Sequence, residues 1–220
     1  MSNHEKIAIL GGSFNPITGA HIEIARYVFY RSDISCVWLM PCNNHLQKTG
    51  LEAFEHRFNM CEIAAKSFDF IKVSNWELTK GLDGSAYSLI SKIKEDYASG
   101  VVCGPSEVEL SYIIGMDQAN NFHTWKNWEK LKDMVRFIVL PRDGVKEDPK
   151  VTWYLEKPHL YCPPLLGYPI MDVSSTKVRE LIKRSRNSRY FRQLIEHLQT
   201  LANLLDNDVL EYIQKNGLYE

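Results

Sequence analysis

The chain has 220 residues, 45% of them hydrophobic, 24% charged and 11% aromatic, with a formal charge of −1 at neutral pH. A chain of that size and composition buries a sizeable core without staples, which excludes an intrinsically disordered protein. The absent basic excess argues against a protein built to hold a nucleic-acid backbone. Five cysteines, Cys36, Cys42, Cys61, Cys103 and Cys162, lie far apart with no C-x-x-C, so neither a zinc knuckle nor a redox dithiol is expected. No apolar run reaches the roughly 18 residues of a membrane span, and no leader-like segment precedes the first strand. The expected location is the cytoplasm, or also the nucleus in a eukaryotic source.

In chain order, residues 6–10 form an apolar strand stopped by Gly11-Gly12, and 20–31 carry helical spacing. A second strand over 34–40 ends at Pro41. Residues 42–50 read as a loop, 53–67 as a helix and 68–73 as a third strand. Ser85 is placed as the N-cap of a helix over 87–97. Strands follow over 110–114 and 135–140, and 142–157 is a polar insertion with one glycine and one proline. A short last strand is expected at 160–162, then helices over 174–186, 190–205 and 208–216. Strands alternating with helices predict an α/β fold, a Rossmann-like doubly wound parallel sheet with a helical C-terminal tail. One domain spans 1–220, its core about 5–185 and its tail about 186–220.

The informative stretch joins the first strand to the first helix: Gly11-Gly12-Ser13-Phe14-Asn15-Pro16-Ile17-Thr18-Gly19-Ala20-His21. Ligands bind at the carboxyl ends of such strands, where two glycines let a phosphate approach backbone N–H groups and a helix start adds its positive end. The run is neither the dinucleotide fingerprint nor the P-loop. A lone histidine is usually structural, but beside this loop His21 is read as a phosphate ligand. Later, Ser174-Ser175-Thr176 open a helix with Arg179 one turn on; alone this would be an ordinary cap, but three hydroxyls and a guanidinium at one helix end also suit phosphate oxygens.

Together these two stretches resemble the signatures G-G-S-F-[DN]-P-[ILV]-[HT]-x-G-H and I-S-S-T-x-x-R of the nicotinamide/nicotinate mononucleotide adenylyltransferases, within the nucleotidyltransferase superfamily. Ala20 departs from the usual glycine. Gly115-Met116-Asp117 followed by Trp125 and Trp128 is similar to the family's G-x-D segment, in which one tryptophan stacks the pyridine; both candidates stay open. Lys48 falls on a phosphate-binding lysine, while Leu46 replaces that loop's tyrosine. Trp76 resembles a ring-packing tryptophan, and Tyr87-Ser88 a stretch near the nicotinate ring. His56-Arg57 matches a pair read as structural.

The resemblance implies adenylyl transfer from ATP to nicotinamide or nicotinate mononucleotide, giving NAD or deamido-NAD and pyrophosphate. The mononucleotide phosphate is already an anion, so no general base is required. His21, Thr18, Lys48 and Arg179 would be catalytic. Gly11, Gly12, Ser13, Phe14, Gly115, Asp117, Ser174, Ser175 and Thr176 would hold ATP together with His21 and Arg179. Ser13, Asn15, Lys48, Trp76, Tyr87, Ser88 and Trp125 or Trp128 would hold the mononucleotide. Mg²⁺ is expected through phosphates and water without dedicated protein ligands. The expected partners are these two small molecules, with no nucleic acid and no membrane; homo-oligomerisation is left open. The alternatives are another small-molecule nucleotidyltransferase, of the pantetheine-phosphate adenylyltransferase or cytidylyltransferase type, or a non-catalytic nucleotide-binding module. RNA binding by the basic run from Lys177 through Arg179, Lys183, Arg184, Arg186 and Arg189 to Arg192 competes with a solvated helix face.

Overall fold

The computed structural model describes residues 5–43, 50–102, 108–163, 174–186, 200 and 204–219. Six strands make one parallel sheet: β1 (Glu5–Gly12), β2 (Cys36–Pro41), β3 (Ile71–Val73), β4 (Val108–Gly115), β5 (Arg136–Leu140) and β6 (Leu160–Tyr161). Their spatial order is β3-β2-β1-β4-β5-β6, every neighbouring pair parallel. The order reverses between β1 and β4, and at that switch point a crevice opens outside the carboxyl ends of the strands.

The doubly wound sheet follows from strands that are apolar on both faces. In β1, Ala8 and Leu10 face one core while Ile7 and Ile9 face the other. The first face is covered by α1 (Gly19–Arg31), α2 (Phe54–Ala65), α7 (Ser175–Arg186) and α8 (Asn207–Lys215). The second carries α4 (Ala86–Ala98), α5 (Met116–Asn120) and α6 (Trp128–Met134). A one-turn helix α3 (Trp76–Thr79) stands between the third strand and α4, where the sequence suggested no element. Helices α5 and α6, separated by a 3-10 turn over Phe122–Thr124, fill a stretch that showed no helical periodicity, because each is too short to display one.

Register carries the glycines to the crevice. Ile7 pairs with Cys36, so Gly11 and Gly12 stand beside Met40 and Pro41, and Gly115 stands beside Leu140 at the same end of the sheet. The polar segment 142–157 is not loose throughout: Tyr154 is buried, and Trp153 stacks on Phe122 at 4.4 Å. The helix expected over 190–205 lies almost wholly outside the described residues. Helix α8 is present and docks on α2 through Tyr212, whose hydroxyl meets His56 Nδ1 and accepts from Asn59 Nδ2, each at 3.0 Å.

Candidate active site

At the end of β1 the chain turns through Phe14, held at φ 43° with its ring buried, into the N-terminus of α1. Gly11 has no room for a side chain: a Cβ there would collide with the Tyr112 hydroxyl. The loop is clamped by main-chain acceptors. The guanidinium of Arg57, 1% exposed, donates to the carbonyls of Glu52 (2.9 Å), Ser13 (2.8 Å) and Cys42 (2.8 Å). Opposite it, Arg179 Nη1 donates to the Asn15 carbonyl at 2.7 Å, and Ser175 Oγ donates to the Pro16 carbonyl at 2.7 Å. Two regions about 160 residues apart in sequence therefore close on one loop.

His21 is oriented by its own helix cap. The backbone N–H of Thr18 donates to His21 Nδ1 at 3.0 Å, and the Thr18 hydroxyl lies 2.8 Å from the same nitrogen. A nitrogen that accepts from a backbone amide keeps its lone pair, so the ring proton sits on Nε2 and the imidazole is a neutral donor there. Neither α1 nor α7 has an acidic residue in its first turn, which leaves both positive helix ends uncompensated by carboxylates beside the loop.

Three neighbouring cavities that share lining residues open at this end of the sheet. The first, about 510 Å³, is bordered by Gly12, Ser13, His21, Arg142, Ser175, Thr176 and Arg179: amides, hydroxyls and cations suited to a polyphosphate. The second runs past Gly115 and Asp117 to Leu140 and Pro141, and shares His21, Arg142 and Ser174 with the first. The third is walled by Tyr87, Trp125, Tyr112, Ser85, Lys126 and Glu77, and reaches Gly11 and Gly12. Gln118 borders all three.

The site residues read from the sequence separate accordingly. Gly11, Gly12, Ser13, His21, Gly115, Asp117, Ser174, Ser175, Thr176, Arg179, Tyr87 and Trp125 border these cavities. Ser174 also caps α7, its hydroxyl accepting from Lys177 N–H at 3.2 Å. Thr18 is 2% exposed and reaches the site through His21 rather than by lining it. Asn15 borders the phosphate cavity, but its side-chain oxygen is turned inward, to Glu52 N–H and the Tyr219 hydroxyl. Of the two tryptophans left open, Trp125 walls the ring-sized cavity, while Trp128 packs edge-on against Phe122.

Two of the expected residues stand apart from these cavities. Trp76 borders none of the three cavities: helix α3 turns it toward Trp38 and Tyr97, and its neighbour Glu77 lines the site instead. Ser88 does not line the ring cavity either; it accepts from Ser85 in the cap of α4. Lys48 lies outside the described residues, as does Leu46.

Arg142, Gln118, Lys126 and Glu77 are among the lining residues that escaped the sequence reading. Arg142 follows the end of β5 and donates to Asp117 at 2.8 Å, a position the carboxyl-end rule for parallel sheets points to. Gln118 accepts from Gly115 N–H at 3.2 Å. Lys126 pairs with Asp83 at 2.6 Å. Glu77 is 3% exposed; burial and then the Asp83 charge push its carboxyl up to about 7, against the lowering pull of the Asn43 and Gly84 amides. Nothing in a short surface-like sequence around Glu77 signals that burial.

Residues 9–181 match the family model described as cytidylyltransferase-like. A probable nicotinate-nucleotide adenylyltransferase of Myxococcus xanthus is 29% identical over 215 residues, covering 97% of this chain and 94% of that protein. One of Bacillus licheniformis is 27% identical over 219 residues, covering 98% of each. Among solved structures, nicotinic acid mononucleotide adenylyltransferase of Plasmodium falciparum complexed with NaAD superimposes with a TM-score of 0.76 at 24% identity, over 98% of both chains. At that identity the superposition speaks to the fold.

Proposed function

The chain belongs to the cytidylyltransferase-like family, and on that premise we propose that it is an adenylyltransferase joining ATP to a pyridine mononucleotide, with nicotinate mononucleotide as the preferred acceptor. The carrying observation is the convergence of His21, Arg179 and the N-termini of α1 and α7 on one cavity of hydroxyls, amides and cations, which shares lining residues with two neighbouring cavities. The relatives' names support both the reaction and the acid acceptor.

In the reaction, an oxygen of the mononucleotide phosphate forms a bond to the α-phosphorus of ATP as the bond to the bridging oxygen breaks, and the electron pair leaves with pyrophosphate. The attacking oxygen is already anionic, so catalysis consists of bringing two anions together and stabilising spread charge. His21 donates from Nε2 to the α- and β-phosphates. Arg179, Ser175, Thr176 and Arg142 take the departing pyrophosphate. Asp117, whose Oδ1 is buried without a partner among the described residues, accepts from a ribose hydroxyl. Trp125 and Tyr87 flank the pyridine, and Lys48 is assigned from its sequence position to the charge between the substrates.

The phosphate cavity offers hydroxyls and cations rather than carboxylates, a donor set that suits Mg²⁺ arriving on the ATP phosphates with its water. Bound there, the ion would neutralise phosphate charge. Cys36, Cys61 and Cys162 are free thiols among the described residues, which fits the reducing, ATP-supplied cytoplasm. Pyrophosphate release that requires both ATP and nicotinate mononucleotide is the test of this reading.

A further inference from the structure

Asn15 sits at the middle of the loop that faces the phosphate cavity, and its two oxygens are used in opposite directions. Its main-chain carbonyl accepts from Arg179 Nη1 at 2.7 Å. Its side-chain oxygen accepts from Glu52 N–H at 3.1 Å and from the Tyr219 hydroxyl at 3.0 Å. The triangle closes because Tyr219 N–H donates to Glu52 Oε1 at 3.2 Å. Asn15 and Tyr219 are 3% and 6% exposed, so these bonds are shielded from competing water. Tyr219 adopts φ 64°, a left-handed conformation unfavourable to a bulky side chain and kept only where surrounding contacts impose it.

We propose that Tyr219 is a positioning residue for ATP: its hydroxyl fixes Asn15, and through the Asn15 carbonyl it fixes the Arg179 guanidinium beside the phosphate cavity. A segment 204 residues away in sequence thereby sets the geometry of the phosphate loop. Burial and then the Glu52 carboxylate push the phenol well above its ordinary range, so the hydroxyl stays protonated as a donor.

The inference depends on the adenylyl-transfer reading for its ligand alone, and the test keeps the two apart. Tyr219→Phe keeps the buried ring and removes one hydrogen bond. Tyr212→Phe is the matched control, since that hydroxyl serves the docking of α8 on α2 and does not reach the loop. ATP affinity is measured by calorimetry for both full-chain variants, with KM for each substrate from pyrophosphate release. Tyr219→Phe is expected to weaken ATP binding about three- to tenfold, the scale of one buried hydrogen bond, and to leave the mononucleotide KM within twofold. Tyr212→Phe is expected to lower the melting temperature without changing ATP affinity. ATP affinity within twofold of wild type in Tyr219→Phe, or an equal loss in Tyr212→Phe, overturns the proposal. Wild-type protein that binds ATP but releases no pyrophosphate would instead overturn the reaction, with the affinity ratio still deciding the role of Tyr219.

Discussion

His21 can donate to a phosphate because its other nitrogen is occupied: the Thr18 amide fixes the tautomer before any substrate arrives. A donor already aimed does not reorganise during the reaction, and this is the usual origin of a large electrostatic contribution. His21→Ala is therefore expected to lower kcat by about 10²- to 10³-fold with the melting temperature nearly unchanged. Steady-state turnover near wild type would remove His21 from the site. At Glu77 the chemistry concerns stability. A carboxyl raised to about 7 in the folded state holds its proton more tightly than in the unfolded chain, whose reference is 4.5. Its favourable contribution is complete below that reference and is lost as pH rises through about 7. Urea unfolding of wild type and Glu77→Gln at pH 5 and pH 8 should show wild type losing on the order of 2 kcal/mol relative to the variant. A gap that stays constant between the two pH values would contradict a titrating Glu77.

Among the elements, the phosphate loop is the piece on which the others converge: α2 reaches it through Arg57, and α7 through Arg179 and Ser175. Arg57 is buried with three carbonyls as its acceptors, so its loss strands three polar groups at once. Arg57→Leu is expected to destabilise the fold by about 3 kcal/mol or more in urea unfolding, and a loss below about 1 kcal/mol would contradict the clamp. Such clamps explain which parts could be read in advance. Strands β1, β2 and β5 were legible because unbroken apolar runs ending in glycine or proline suit a sheet buried on both faces. Ser85 was legible as a cap because its hydroxyl does what its position suggests, accepting from Ser88 N–H. Helices α3, α5 and α6 were hidden by their length, and their concealment hid Glu77 and Gln118 as well. Trp76 packs beside Trp38 in the turn of α3, an arrangement that a ring-sized aromatic near a sheet end does not signal in sequence.

For the molecule as a whole, a formal charge of −1 conceals a local polarity. His21, Arg142 and Arg179 meet two helix N-termini without first-turn carboxylates at one cavity, while acidic residues elsewhere balance the sum. The doubly wound sheet makes this arrangement possible by bringing the end of β1, the end of β4 and the start of α7 to one switch point. Among the described residues no helix is long and apolar enough to cross a membrane. The account predicts that a polyanion pair, not a single nucleotide, completes the site. The most direct measurement is initial-rate pyrophosphate release from ATP and Mg²⁺ with nicotinate mononucleotide, with nicotinamide mononucleotide, and with neither, with dinucleotide quantified in parallel. The expected result is one dinucleotide per pyrophosphate, a higher kcat/KM for the acid than for the amide, and only background release without an acceptor. Absence of pyrophosphate with both mononucleotides would contradict the account.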